Sequence, residues 1–98
     1  MATYIVLLNW TEQRVADAGG SLNRANAAAA ALKKLGGKMK NVYWTMGPYD
    51  AVSIVEAPDD ETVTAFALAV CGKGAVRTTT MRAFDRNEMA AIFERIAP

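Results

Sequence analysis

The sequence contains no histidine and only one cysteine, Cys71. Without histidine it lacks the commonest general base and the commonest metal ligand, and no Ser-His or Cys-His nucleophile can form. A single cysteine excludes an intrachain disulfide and a thiolate metal cluster. Cys71 lies near the predicted carboxyl end of a helix, where the helix dipole disfavours a thiolate, so we do not expect a nucleophile. We therefore predict no catalytic residue, no metal site and no cofactor.

Net charge and long apolar runs are also scarce. The 11 basic and 10 acidic residues leave a net charge of +1, which provides no electrostatic footprint for nucleic acid. No apolar run reaches the roughly 18 residues of a membrane helix, and the N-terminus has no basic region followed by an apolar core. We therefore expect a cytoplasmic protein that binds neither nucleic acid nor a membrane.

The length and the apolar content indicate a small self-associating domain. A chain of 98 residues is sufficient for one domain, which we place at residues 1–98. Hydrophobic residues make up 52% of the chain, slightly more than the roughly 45–50% of ordinary globular proteins. This excess favours a subunit that buries additional surface in an oligomer.

Glycine and proline separate stretches of strand-like and helix-like periodicity. The order of these stretches is β-α-β-β-α-β followed by a terminal helix, which is the pattern of a ferredoxin-like α+β fold with a four-stranded antiparallel sheet. The predicted elements are a strand at Thr3–Trp10, a short helical turn at Thr11–Asp17, a helix capped by Ser21 and ended by Gly36, a hairpin at Val42–Glu56, a helix opened by Asp59 and ended by Gly72, a strand at Ala75–Phe84 and a last helix beginning at Asp85 with Glu88 in a capping box.

The hairpin at Val42–Glu56 is the best-marked local unit. Two apolar runs flank the turn Gly47-Pro48-Tyr49-Asp50. Pro48 supplies the φ angle that the second turn position requires, and glycine tolerates the restricted conformation before proline. We expect the carboxylate of Asp50 to bond back to the turn backbone and to clamp the hairpin, in preference to acting as a base.

One face of the predicted sheet needs a cover. Right-handed crossovers place both long helices on the same face, which leaves the other face bare in a monomer. The first strand is nevertheless apolar on both sides, with Tyr4 and Trp10 on one side and Ile5 and Leu7 on the other. An exposed patch with two aromatic residues is an association site, so a charged residue in place of Trp10 should weaken the oligomer. Face-to-face packing of two sheets in a homodimer is the simplest solution, and a terminal helix folded over the face or reaching to a partner is the alternative.

Three stretches of the chain resemble the GYD domain family. They are TYIVLLNWT at the start, YWTMGPYDAVSIVEAPDDE in the middle and VRTTTMRAF near the end. The resemblance implies the ferredoxin-like fold and the oligomers of the dimeric α/β-barrel superfamily. The hairpin is also similar to the ligand-binding domains of Lrp/AsnC-type regulators, but the chain has no helix-turn-helix segment. The family offers neither an agreed activity nor catalytic residues to transfer.

A few polar and aromatic residues are candidates for a binding site. Trp10, Trp44 and Tyr49 suit a small-molecule pocket at a subunit junction, although core and interface packing is the favoured explanation for them. Arg77 and Arg82 lie on opposite sides of the last strand, and whichever faces covered space needs an anionic ligand or an acidic partner. A structural pair with Asp50 or Glu56, or solvent exposure at a strand edge, explains these arginines better than a bound anion. The acidic run at residues 59–61 suits a helix N-terminus better than a metal, because consecutive helix residues do not converge.

The leading interpretation is a self-associating α+β domain that binds itself and, as an option, a small organic ligand between subunits. Its speculative ligand site consists of Trp10, Trp44, Tyr49 and Arg77. One alternative is a cofactor-independent enzyme of the monooxygenase or isomerase type, which without histidine would depend on residues such as Asp50 or Trp10. The other alternative is a purely structural or interaction subunit. A closed cavity around Trp10 and Arg77 would favour ligand binding over the structural role.

Overall fold

A computed structural model describes residues 1–12, 18–74 and 76–98 of the chain. The elements in chain order are β1 (Ala2–Trp10), a 3-10 turn (Ala18–Gly20), α1 (Ser21–Lys34), β2 (Lys38–Trp44), β3 (Ala51–Ala57), α2 (Asp60–Cys71), β4 (Val76–Ala83) and α3 (Arg86–Glu94). The order matches the predicted pattern. The helical turn predicted at residues 11–17 falls mostly outside the described ranges.

The four strands form one antiparallel sheet in the order β2-β3-β1-β4. This is the ferredoxin-like arrangement, in which the first and third strands are central, and it confirms the predicted fold class. A bulge between Met39 and Asn41 interrupts the pairing of β2 with β3. Because the bulge adds one residue, Met39 and Val42 lie opposite Val55 and Ser53 on the same face of the sheet.

Helices α1 and α2 cover one face of the sheet, which we call the helix face. Leu32 of α1 and Phe66 of α2 are buried against β1 and β3, with 0% and 4% of their surface exposed. The common side of the two helices confirms the expected crossovers. The buried core cluster consists of Tyr4, Val6, Leu32, Val55, Ala57, Val63 and Phe66.

Gly37 marks the closest approach between α1 and the sheet. A Cβ atom at this position would lie 2.7 Å from the carbonyl oxygen of Glu56 and 2.7 Å from Cδ1 of Leu32. Neither group can withdraw, since one belongs to the backbone of β3 and the other is buried in the core. Glycine is therefore needed here for space, and its absence of a side chain lets the chain turn tightly from α1 into β2.

The predicted helix starts are confirmed at α2 and α3 and wrong at α1. Asp59 accepts a hydrogen bond from the Thr62 backbone nitrogen at 2.8 Å, and this bond together with the one from the Thr62 hydroxyl holds the pKa of the Asp59 carboxyl below its usual range. Asp85 and Glu88 form a reciprocal capping box. Ser21 is instead the first residue of α1, and Gly20 occupies the cap position without a side-chain bond. The Ser21 hydroxyl has another partner, described below.

The hairpin between β2 and β3 forms as predicted, but its aspartate acts differently. Thr45 donates its backbone N–H to the carbonyl oxygen of Asp50 at 2.9 Å, and Gly47 adopts a φ of +109° that favours glycine. The carboxylate of Asp50 does not bond to the turn. It accepts a hydrogen bond from the backbone nitrogen of Trp10 at 2.8 Å and so ties the hairpin to the end of β1.

Helix α3 projects from the end of β4. None of its residues is buried, and within the described ranges it has no extensive packing against another element. The radius of gyration is 14.9 Å, whereas a compact chain of this length has about 12.5 Å. The alternative in which this helix folds over the second sheet face is thus not seen in the single chain. No helix in the described part combines the length and the hydropathy needed to cross a membrane.

Candidate functional site

A pocket of about 170 Å³ lies between the helix face of the sheet and the two covering helices. Leu8 and Ser53 contribute to its floor from the sheet, and Ala28 and Val70 contribute from α1 and α2. The pocket exists because the inner side of α1 carries alanine where bulkier residues would fill the gap. Small side chains let the helix lie on the sheet without occupying the space between the helices.

Both tryptophans of the chain line this pocket. Trp10 ends β1 and Trp44 ends β2, so both lie at the same end of the helix face. The indole nitrogen of Trp44 donates a hydrogen bond to the hydroxyl of Ser21 at 2.9 Å. This bond joins the end of β2 to the start of α1, which explains why Ser21 does not cap its own helix. It also holds the Trp44 ring, 41% of which is exposed, at the edge of the pocket.

Ser53 is the buried polar residue of the core, with 3% of its surface exposed. It lies on the helix face of β3 opposite Val6, and its side chain lines the pocket. Its hydroxyl makes no hydrogen bond within the part of the chain that the structure describes. Sequence reasoning missed this residue, although a serine at an inward position of a strand is a detectable signal once the inward side is known.

The opposite, uncovered face of the sheet carries a continuous apolar band. Two neighbouring rows of cross-strand residues form it, and each row is apolar over three strands. Asn41 on β2 and Thr79 on β4 complete the two rows with polar side chains, and Glu56 and Arg77 lie beyond the ends of the band. Tyr43 and Met81, at its outer edges, are 55% and 43% exposed. We call this surface the open-face band, and its residues are Ile5, Leu7, Tyr43, Val52, Ile54 and Met81.

Trp10 lies on the helix face, and the bare apolar side of β1 carries Ile5 and Leu7. The prediction that a charged residue at Trp10 would test the association face was therefore wrong. Both sides of β1 are apolar, so periodicity alone does not distinguish them. The helix face is identified by the burial of Tyr4 and Val6, each only 2% exposed.

The two arginines of β4 have separate environments. Arg82 pairs with Tyr4 across the sheet, stacks 4.4 Å from the centroid of the Phe84 ring and forms an ion pair with Glu88 at 3.2 Å. Its partner is thus Glu88 rather than the expected Asp50 or Glu56. Arg77 is exposed beside Asn9 on the open face. The four residues of the predicted ligand site therefore do not form one cluster.

The remaining candidates have structural contacts. Tyr49 is half-buried in the hairpin turn, where its carbonyl oxygen accepts a hydrogen bond from the Thr45 hydroxyl at 2.6 Å. Cys71 ends α2 as expected, with its sulfur 3.3 Å from the hydroxyl oxygen of Thr78. The Tyr4 hydroxyl donates to Asp60, and this bond together with burial raises the pKa of Tyr4 to about 12. Tyr4 consequently stays protonated at neutral pH.

Comparison with known proteins identifies the family. A family model described as GYD domain matches residues 4–93. A Thermus thermophilus protein named glutamine synthetase and cystathionine beta-lyase binding protein is 30% identical over 92 residues, which cover 93% of this chain and 97% of the relative. A crystal structure of a Thermus thermophilus protein superimposes with a TM-score of 0.57 at 29% identity, covering 87% of this chain and 95% of that chain. The chain therefore belongs to the GYD domain family.

Proposed function

We propose that this chain is a protein-interaction domain that pairs with a second copy of itself through the open-face band. The observation that carries the proposal is the continuity of the band, which crosses all four strands of the sheet. Tyr43 and Met81 would be desolvated on pairing. Contiguous apolar patches that are exposed on a monomer usually mark association sites. Two such faces packed against each other, about 10 Å apart, form the dimeric α/β barrel.

The extent of the surface supports a second copy as the occupant. Strands of roughly seven residues in a four-stranded sheet give a face of roughly 450 Å². A stable interface buries about 800 Å² on each partner. Phe93 of α3 and Ile96, two residues after the helix ends, are 56% and 78% exposed and would add apolar area to the interface. In a two-fold dimer each α3 would lie against the partner at the edge of the band.

The named relative supports a role in binding other proteins. Its name states that it binds glutamine synthetase and cystathionine beta-lyase. We propose that this chain likewise binds an enzyme, with the homodimer as the binding unit and these two enzymes as the first partners to test. The optional ligand between subunits would then meet Arg77, since Trp10 and Trp44 lie on the helix face.

The test of self-association compares two leucine-to-lysine variants. Leu7 lies at the centre of the open-face band, and Leu68 is 68% exposed on α2. We expect Leu7→Lys to raise the dimer dissociation constant at least about 100-fold, because pairing would bury an unpaired ammonium group from each protomer. Leu68→Lys should leave the dimer unchanged. Analytical ultracentrifugation over a range of concentrations measures both constants.

Two results would contradict the proposal. One is a wild-type chain that stays monomeric at tens of micromolar, and the other is a Leu7→Lys variant that dimerises as tightly as the Leu68→Lys control. Binding to an enzyme is measured separately, by biolayer interferometry with glutamine synthetase and cystathionine beta-lyase purified from the same organism. If neither enzyme binds, the proposal that they are partners is wrong. The proposal of self-association is unaffected by that result.

A further inference from the structure

The pocket on the helix face is independent of the surface proposed for pairing. The pocket lies on the helix face of the sheet, whereas the open-face band lies on the opposite face. Its volume of about 170 Å³ is close to that of an engineered apolar cavity of about 150 Å³ that binds benzene. A molecule the size of one aromatic ring therefore fits within a single protomer.

The pocket walls are mostly apolar; the polar lining residues are Ser21, Arg24, Ser53, Lys73 and Thr78, and of these only Ser53 is fully buried. Leu8, Met39 and Val70 provide apolar surface, while Ser53 places a hydroxyl with 3% exposure among them. A buried hydroxyl without a partner lowers the stability of the folded chain, because it has given up its hydrogen bonds to water. Within the described residues the Ser53 hydroxyl has no such partner. A ligand with one hydrogen-bonding group would satisfy the hydroxyl and fill the apolar space at the same time.

We propose that this pocket binds an uncharged, ring-sized apolar molecule whose single hydrogen-bonding group contacts the Ser53 hydroxyl. Phenol represents this chemical class, and toluene has nearly the same shape without the polar group. The two tryptophans form one end of the site, where an aromatic ligand can stack on their rings. The bond between Trp44 and Ser21 fixes that end before a ligand arrives.

The chain contains its own reporter of occupancy. Its 2 tryptophans both line the pocket, so fluorescence excited at a wavelength that only tryptophan absorbs comes entirely from the site. We expect phenol to change this emission in a saturable way and to bind several-fold more tightly than toluene. The ratio corresponds to a hydrogen bond worth about 1 kcal/mol.

Two substitutions separate the roles of the hydroxyl and the space. Ser53→Ala should weaken phenol to the affinity of toluene and leave toluene unchanged or slightly stronger. Ala28→Leu should fill the pocket and abolish the binding of both probes. Ala30→Leu is the matched control, because Ala30 is exposed on the outer side of the same helix and does not line the pocket. Circular dichroism establishes that each variant is folded.

The outcomes decide the proposal in either direction. No saturable change up to millimolar phenol and toluene would overturn it and would indicate a pocket occupied by water. Equal binding of the two probes, unaffected by Ser53→Ala, would overturn the role of the hydroxyl. Backbone amide NMR shifts provide a second measurement if the Ala28→Leu variant fails to fold, since wild-type shifts must cluster around Ser53 and Val70. Shifts confined to the open-face band would contradict the proposed location.

Discussion

The two faces of the sheet differ in what covers their apolar side chains. On the helix face, α1 and α2 bury Val55 completely and leave a pocket beside Ser53. On the open face, Val52 and Ile54 of the same strand are only half-buried, and none of the described elements of the single chain packs over them. Burial by the chain's own helices stabilises one protomer, whereas burial of the open face requires a partner. Substitutions on the two faces should therefore differ in how their effects depend on protein concentration.

The largest expected effect comes from a matched pair of valines in β3. Val55→Ala removes two methyl groups from a site with 0% exposure, and we expect it to lower the free energy of unfolding by about 2–3 kcal/mol at every protein concentration. Val52→Ala should cost less than about 1 kcal/mol in dilute protein, and more at concentrations where the proposed dimer would form. Urea unfolding at two concentrations measures the difference. If both variants lose the same free energy of unfolding at every protein concentration, the two faces do not differ in the way described.

A smaller effect is expected where the hairpin is joined to β1. Asp50→Ala removes the acceptor for the Trp10 backbone nitrogen, at a half-buried position. We expect a loss of about 1–2 kcal/mol in the free energy of unfolding, together with a changed tryptophan emission, because Trp10 lines the pocket. Asp50→Asn keeps an acceptor oxygen and should recover at least half of the lost stability. If the Trp10 amide keeps its protection from hydrogen exchange in Asp50→Ala and only the hairpin loosens, the hydrogen bond between Asp50 and Trp10 does not stabilise the end of β1.

The smallest effect concerns α3, which projects from the end of β4. Its start depends on the capping box of Asp85 and Glu88, and none of its described residues is buried. Asp85→Ala should therefore destabilise this helix by about 1 kcal/mol and leave the sheet unaffected. Hydrogen exchange should be faster in α3 alone in dilute protein, and should change little at concentrations where the proposed dimer would form. Equal loosening at all concentrations would indicate that α3 does not contact the partner.

Features defined by neighbouring residues could be predicted from the sequence. The acidic side chains of Asp59 and Asp85 cap their helices because each bonds to an amide three residues along the chain. The turn at Gly47 forms where a glycine precedes a proline, and it adopts the positive φ that glycine tolerates. These signals are local, so no knowledge of the fold was needed to find them.

Features that depend on distant residues were missed or misplaced. Ser21 is of a residue type that commonly caps helices, but its hydroxyl bonds to Trp44, 23 positions away. Asp50 bonds to Trp10, 40 positions away, in preference to its own turn. Arg82 pairs with Glu88, which is only six positions along the chain but belongs to another element, and the capping box holds that carboxylate beside the end of β4. In each case more than one partner was chemically plausible, and the arrangement of strands and helices decided between them.

The sequence by itself determined the kind and order of the four strands and three α-helices, and with them the ferredoxin-like fold, because periodicity, glycines, prolines and capping residues act over a few positions. Only the tertiary structure decided which side of β1 is covered, since Tyr4 and Ile5 are both apolar and their burial depends on where the helices dock. It also decided that the two tryptophans share a pocket with Ser53 while Arg77 lies on the other face. A cavity is the volume left between packed elements, and no single segment of the sequence specifies it.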